Sequence, residues 1–344
     1  MPTFTRALDV DASALPRPPR RAWGLGALLV LLSLVLGALS LGVGSTGVQA
    51  IWQMLADPVA SQIVWDIRAP RSLGAYTAGA LLGLAGAVAQ GLFRNPLADP
   101  FLLGSASGAS LGVALALVAL GASPLAADWL LRLGLTGAAF VGAVAAVLLT
   151  LALARGVQHT LRLLLAGVVV GVVLGAFTSL ITLSFPETLQ SLQAYVLGTT
   201  AFVGWSAVAT MAVVWALCVA VAWALARVLD ALVLGEATAH SLGLPLVPLR
   251  LALVAVMALA TGAAVAQTGL IAFVGLAAPH LVRAVVKTTH ARLVLLSSLM
   301  GGALLLLADT LARGLMAPQE LPVGVLTAVL GGGYLLWLMG RSPR

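Results

Sequence analysis

The chain has 344 residues, 61% of them apolar and only 8% charged, with a formal net charge of +7. That balance excludes a soluble globular domain and matches a polytopic helical membrane protein. A span of about 20 apolar residues covers a hydrocarbon core of about 30 Å. Apolar runs of this kind occur at 24–43, 72–92, 102–121, 135–154, 163–184, 204–226, 250–267, 270–286, 293–311 and 322–340. The expected fold is therefore all-α with about ten transmembrane helices. Spans seven and eight are crowded, which leaves nine or eleven crossings open.

Residues 1–21 form a polar, basic, Pro-containing tail, expected to be cytoplasmic, ahead of one transmembrane domain at 22–344. The first apolar run is longer than a signal-peptide core, so it is expected to stay as a span. With the N-terminus inside, only Arg68, Arg71, Arg132 and Arg313 of the 18 Lys and Arg fall outside. The positive-inside rule then places both termini in the cytoplasm. The basic charge follows from topology and points to no nucleic acid.

The first outer loop, 44–71, holds a possible interfacial helix at 48–55 with Trp52 at headgroup depth. It closes on Arg68-Ala-Pro-Arg71, and Pro70 favours a helix start there. Two outward arginines at that point are unexpected; headgroup anchoring and a functional role are both open. Spans two, three and five carry glycines four apart, at Gly79/Gly83, Gly104/Gly108/Gly112 and Gly167/Gly171/Gly175, a spacing that lets helix backbones approach closely.

Between spans two and three runs Gln90-Gly-Leu-Phe-Arg94-Asn95-Pro96-Leu-Ala-Asp99-Pro100-Phe-Leu-Leu-Gly104. Asn95-Pro96 and Asp99-Pro100 each mark a turn, and Asp99 can cap span three. After span five, 185–203 is of mixed character and reads as a short outer helix at the mouth of the bundle. Cys218 is the single cysteine, so no disulfide within the chain is possible.

Residues 227–250 are too polar and too broken by Gly and Pro to be a span. Gly235 to Gly243 reads as a short helix. Gly243 suits the left-handed position past its end, and Pro245 and Pro248 oppose continuation. Leu232, Leu234 and Leu242 give this segment an apolar side, while Glu236, Thr238 and His240 keep it wettable. It is either a solvated loop helix or a docking piece for a soluble partner. Further on, Gln267-Thr-Gly269-Leu-Ile-Ala-Phe273-Val-Gly275-Leu-Ala-Ala-Pro279-His280-Leu-Val-Arg283 precedes Leu307-Ala-Asp309-Thr-Leu-Ala-Arg313 and Glu320-Leu-Pro322-Val-Gly324.

These strings resemble those of the FecCD family, the permease subunits of ABC importers for iron-siderophores, haem and vitamin B12. The likeness runs from Arg68 to the C-terminus and is strongest in the turn holding Arg94, Asn95, Pro96, Asp99 and Pro100. It implies a type II importer permease fold. It makes 227–250 a coupling loop, with Gly235, Glu236, His240, Ser241, Leu242 and Gly243 seated on an ATPase subunit. It also implies that Arg68, Arg71 and Arg313 receive acidic residues of an extracytoplasmic binding protein. The implied assembly pairs two permease copies with two ATP-binding subunits in the inner (plasma) membrane.

The chain itself can build no Walker A loop, because its only lysine, Lys287, follows Val286. It is therefore expected not to be an enzyme and to hold no cofactor, with ATP and Mg in the partner. No charged residue falls at the centre of an expected span, which counts against an ion-coupled carrier. Such a carrier, or a passive channel, is the alternative. The four histidines, His159, His240, His280 and His290, all fall on the inner side, and no metal site is expected. The cargo implied is a bulky metal chelate.

Overall fold

The computed structural model describes residues 20–44, 47–48, 57–120, 129–157 and 160–341. The expected tail up to residue 19, all but Val48 of the expected interfacial helix, and His159 lie outside them. Helix α1 (Arg20–Gly42) leads into a two-residue antiparallel ribbon, β1 (Val43–Gly44) against β2 (Gly47–Val48). Helix α2 (Pro58–Ile63) begins at Asp57, whose carboxylate accepts from the Val59 amide at 3.1 Å. It runs on through a π-helical turn at Val64–Arg68 into α3 (Ala69–Leu92).

That continuity corrects the expected helix start at Pro70. A proline inside a helix leaves the carbonyl one turn earlier without its usual donor. The wider π turn redistributes those bonds, and the Ala69 amide donates to Val64 O. Arg68 and Arg71 thus lie well inside a 35-residue helix, away from its positive end.

The remaining helices are α4 (Ser105–Leu120), α5 (Trp129–Leu153), α6 (Thr160–Ser184), α7 (Leu189–Val196), α8 (Trp205–Ala224), α9 (Ala226–Val233), α10 (Glu236–Ser241), α11 (Leu246–Thr268), α12 (Val274–Val285), α13 (His290–Gly314) and α14 (Val323–Arg341). Among the described residues, seven helices are long and apolar enough to cross a membrane: α1, α2–α3, α5, α6, α8, α11 and α13. The shorter apolar helices α4, α12 and α14 occupy the other three expected spans. The short outer helix expected in 185–203 is α7. The end of the bundle that carries 227–250 is termed the inner end, after the expected topology.

Helix α3 is the axis of the bundle. It is buried along nearly its whole length and packs against α13, α11, α12 and α8. Lipid gives apolar helices no reason to associate through hydrophobicity, so close backbone packing has to hold them. Small residues make that possible here. A Cβ on Gly79 would lie 2.3 Å from Gly301 O of α13, and one on Gly83 2.2 Å from Ser297 O. Gly108 of α4 and Gly142 of α5 approach each other in the same way. The stripe in span five is only partly used: Gly167 meets the backbone at Leu102, whereas Gly175 faces open space. Helices α1, α6 and α8 turn Leu and Val outward, as with Leu34, Leu183 and Val213.

Candidate functional site

At the inner end, α9 and α10 project between spans α8 and α11. Gly235, at φ +109°, opens α10, and Gly243, at φ +74°, closes it. The Gly243 amide donates to His240 O at 2.9 Å. This is the left-handed exit the sequence predicts, and the leucine-to-proline step after it lets α11 start afresh at Leu246. Leu232 and Ala239 are fully buried and anchor the segment. Leu234 and Leu242 are 68% and 62% exposed, beside exposed His240 and Ser241. The helix therefore exposes polar His240 and Ser241, flanked at its two ends by exposed Leu234 and Leu242.

Its acidic residue is tied inward. Glu236 Oε1 accepts from Arg250 Nη2 at 2.7 Å and from Arg94 Nη2 at 3.4 Å. Arg94 belongs to the turn after α3, where it takes the left-handed conformation at φ +51°. The rest of that turn is self-bonded. Asn95 Oδ1 accepts from the Leu97 amide at 2.9 Å, and exposed Pro96 lies between them. Asp99 caps the 3-10 turn Pro100–Leu103 by accepting from the Phe101 amide at 2.8 Å. Burial pushes the Asp99 carboxyl up to about 6, against the pull of that amide. Pro100 is buried against Gly275 of α12.

Two more ties brace the inner end. Gln90 donates to Leu276 O at 3.1 Å and accepts from Arg283, joining α3 to α12. His290 Nδ1 pairs with Asp230 at 2.7 Å, joining α13 to α9. His280 meets Tyr334 edge-on at 5.7 Å.

The opposite end holds a buried charge cluster. Asp309 of α13 has no exposed surface. Its Oδ1 accepts from Arg71 Nε and Nη2 at 3.2 Å and from the Thr200 hydroxyl, and its Oδ2 lies 2.8 Å from Arg313 Nη2. Arg71 Nη1 reaches Glu320 at 2.8 Å. Arg313 also donates to Ser40 O and Val43 O, each at 3.1 Å, and Arg68 donates to Leu41 O at 2.9 Å.

From the sequence, Arg68, Arg71 and Arg313 lie beside the outer ends of spans, where the family resemblance implies contact with acidic residues of a binding protein. In the structure they are 8%, 8% and 2% exposed. A carboxylate with no water around it needs cationic partners close by, and Asp309 recruits two of the three.

The family model for the FecCD transport family matches residues 28–341. The chain belongs to the FecCD transport family. It is 39% identical over 323 residues to the hemin transport system permease protein HmuU of Yersinia pestis, covering 92% of this chain and 95% of that one. It is 40% identical over 293 residues to the vitamin B12 import system permease protein BtuC of Escherichia coli O139:H28, covering 83% and 86%. A solved ABC transporter of metal-chelate type, in an inward-facing conformation, superposes with a TM-score of 0.83 at 30% identity, covering 94% of this chain and all of that one. The fold is thus the type II importer permease fold, a polytopic all-α membrane protein.

For this FecCD member, the structure brings the turn holding Arg94 to Pro100 and the segment 227–250 into contact through Arg94 and Glu236. Sequence reasoning placed Arg250 only at the boundary of the loop and gave no role to Gln90, Asp309 or Glu320. Each of them stands inside a motif string quoted for the family or at its edge, but no local pattern names its partner.

Proposed function

We propose that this chain is the membrane-spanning permease subunit of an ATP-binding-cassette importer. It translocates a bulky metal chelate, such as haem, cobalamin or a ferric siderophore. The observation that carries this is α10: a short helix held between two left-handed glycines, projecting from the bundle with Leu234 and Leu242 exposed. Its relatives transport hemin and vitamin B12.

In this reading two copies form the pathway, with both termini in the cytoplasm of the plasma membrane. Two ATP-binding subunits seat on Gly235, Glu236, His240, Ser241, Leu242 and Gly243, and they alone hold ATP and Mg. An extracytoplasmic binding protein docks at the opposite end, on the rim around Arg68, Arg71 and Arg313. Because those arginines are buried, they act by holding the rim in shape, with half-exposed Glu320 at its edge.

The test is uptake of haemin and of cyanocobalamin into proteoliposomes holding the chain, its ATP-binding subunit and its binding protein. Uptake is expected to require ATP and to survive a proton ionophore. Gly243→Val strains the left-handed exit, since β-branched residues resist positive φ. It should leave insertion intact and reduce ATP-driven uptake. Uptake without ATP that collapses with the proton gradient would establish an ion-coupled carrier instead. Normal uptake by Gly243→Val would reduce the segment to a linker.

A further inference from the structure

Two inner segments converge on Glu236, and a third joins them through Arg250. Arg250 reaches it from the first turns of α11, and Arg94 from the turn after α3. Arg250 also donates through Nη1 to Val157 O, at 3.2 Å, in the turn after α5. One carboxylate and two guanidiniums thus connect α10 to three membrane-spanning helices.

Two features indicate more than a surface ion pair. Arg250 is 4% exposed, so no soluble partner can touch it, yet its head is aimed at α10. Arg94 occupies a left-handed backbone position, where glycine would sit without strain. Strained residues persist where the surroundings over-determine them, and they cluster at working sites. Meanwhile α10 is only six residues long and hinged at both ends on glycines with open space around them. A helix that short is not stable through its own hydrogen bonds.

We propose that Glu236, Arg250 and Arg94 form the joint that makes α10 move as one body with α3, α5 and α11. Arg250 is the positioning residue, acting through Glu236, and Arg94 locks the turn after α3 to the same point. Without the joint, α10 rests on its apolar anchors Leu232 and Ala239, and a docked motor can tilt it without moving the spans. This rests on the reading of α10 as the ATPase contact.

The test separates docking, coupling and local geometry. In nanodiscs, spin labels at Thr238 and Leu97 report the separation of α10 from the turn after α3 in the chain alone. The wild type is expected to give a narrow distance distribution, and Arg250→Met and Arg94→Gly a broad one. In the complex with the ATP-binding subunit, Arg250→Met should still dock, while haemin or cyanocobalamin transported per ATP falls by about fivefold or more. Arg250→Lys, which keeps the charge, should recover part of the loss. Arg94→Gly relieves backbone strain, so its effect cannot be ascribed to unfolding if its thermal midpoint is no lower than wild type. Unchanged distributions in both variants, or wild-type coupling in both, would overturn the joint. Failure of the wild type to dock any ATP-binding subunit would instead overturn the reading of α10, and the spin-label comparison would still decide the joint.

Discussion

Arg71 and Asp309 stand 238 positions apart in the chain and 3.2 Å apart in the fold. They clamp the outer ends of α3 and α13, the two helices with the most extensive mutual contact. Arg313 completes the neutralisation of Asp309 from one helical turn further on. Removing one member of a buried pair costs about 3–5 kcal/mol, because it strands the other charge.

Arg71→Glu should therefore be a stability variant before it is a docking variant. It would crowd a third carboxylate against Asp309 and Glu320. We expect little monodisperse protein after detergent extraction, and a thermal midpoint well below that of Arg71→Met, which leaves Asp309 with Arg313. If Arg71→Glu matches the wild type in stability and only slows binding-protein association, the arginine is available to the partner and the cluster opens readily.

Gly86 offers a test of the bundle axis. A Cβ there would fall 1.7 Å from Gly275 O, a backbone atom of α12 that cannot step aside. Overpacking of this kind costs about 1–3 kcal/mol or more. Gly86→Ala should lower the thermal midpoint markedly, whereas Gly37→Ala on α1, with nothing within 4 Å, should not. Equal midpoints for the two variants would mean that α3 and α12 can separate without penalty.

Asp99 carries a pH dependence whose sign is fixed by its environment. Burial raises its folded pKa from 3.8 to about 6, so the folded chain holds the proton more tightly than the unfolded one. Its contribution to stability is fully present below pH 3.8, declines as pH rises towards 6, and is flat above. Asp99→Asn keeps an oxygen to accept from the Phe101 amide but cannot ionise. The variant should be at least as stable as wild type at pH 8, and its advantage should shrink as the pH is lowered below 6. Thermal midpoints across that range check this, and a pH-independent difference would rule it out.

The sequence by itself located the apolar runs and the place of α10, and it left the number of crossings at about ten. Those depend on local quantities: an apolar run long enough for a bilayer, a glycine that tolerates positive φ, and prolines that stop a helix. Gly243 behaves as its surroundings dictate because its turn is built from residues within a few positions of it. Only the tertiary structure decided what the charges do. Arg71, Arg94, Arg250 and Arg313 look alike in sequence, and nothing near them states that Asp309 or Glu236 will arrive from another helix. The same holds for Pro70, which reads as a helix start until the π turn before it carries the helix through. Electrostatic pairing and backbone adjustment depend on which segments meet in space, and that is a property of the packed bundle.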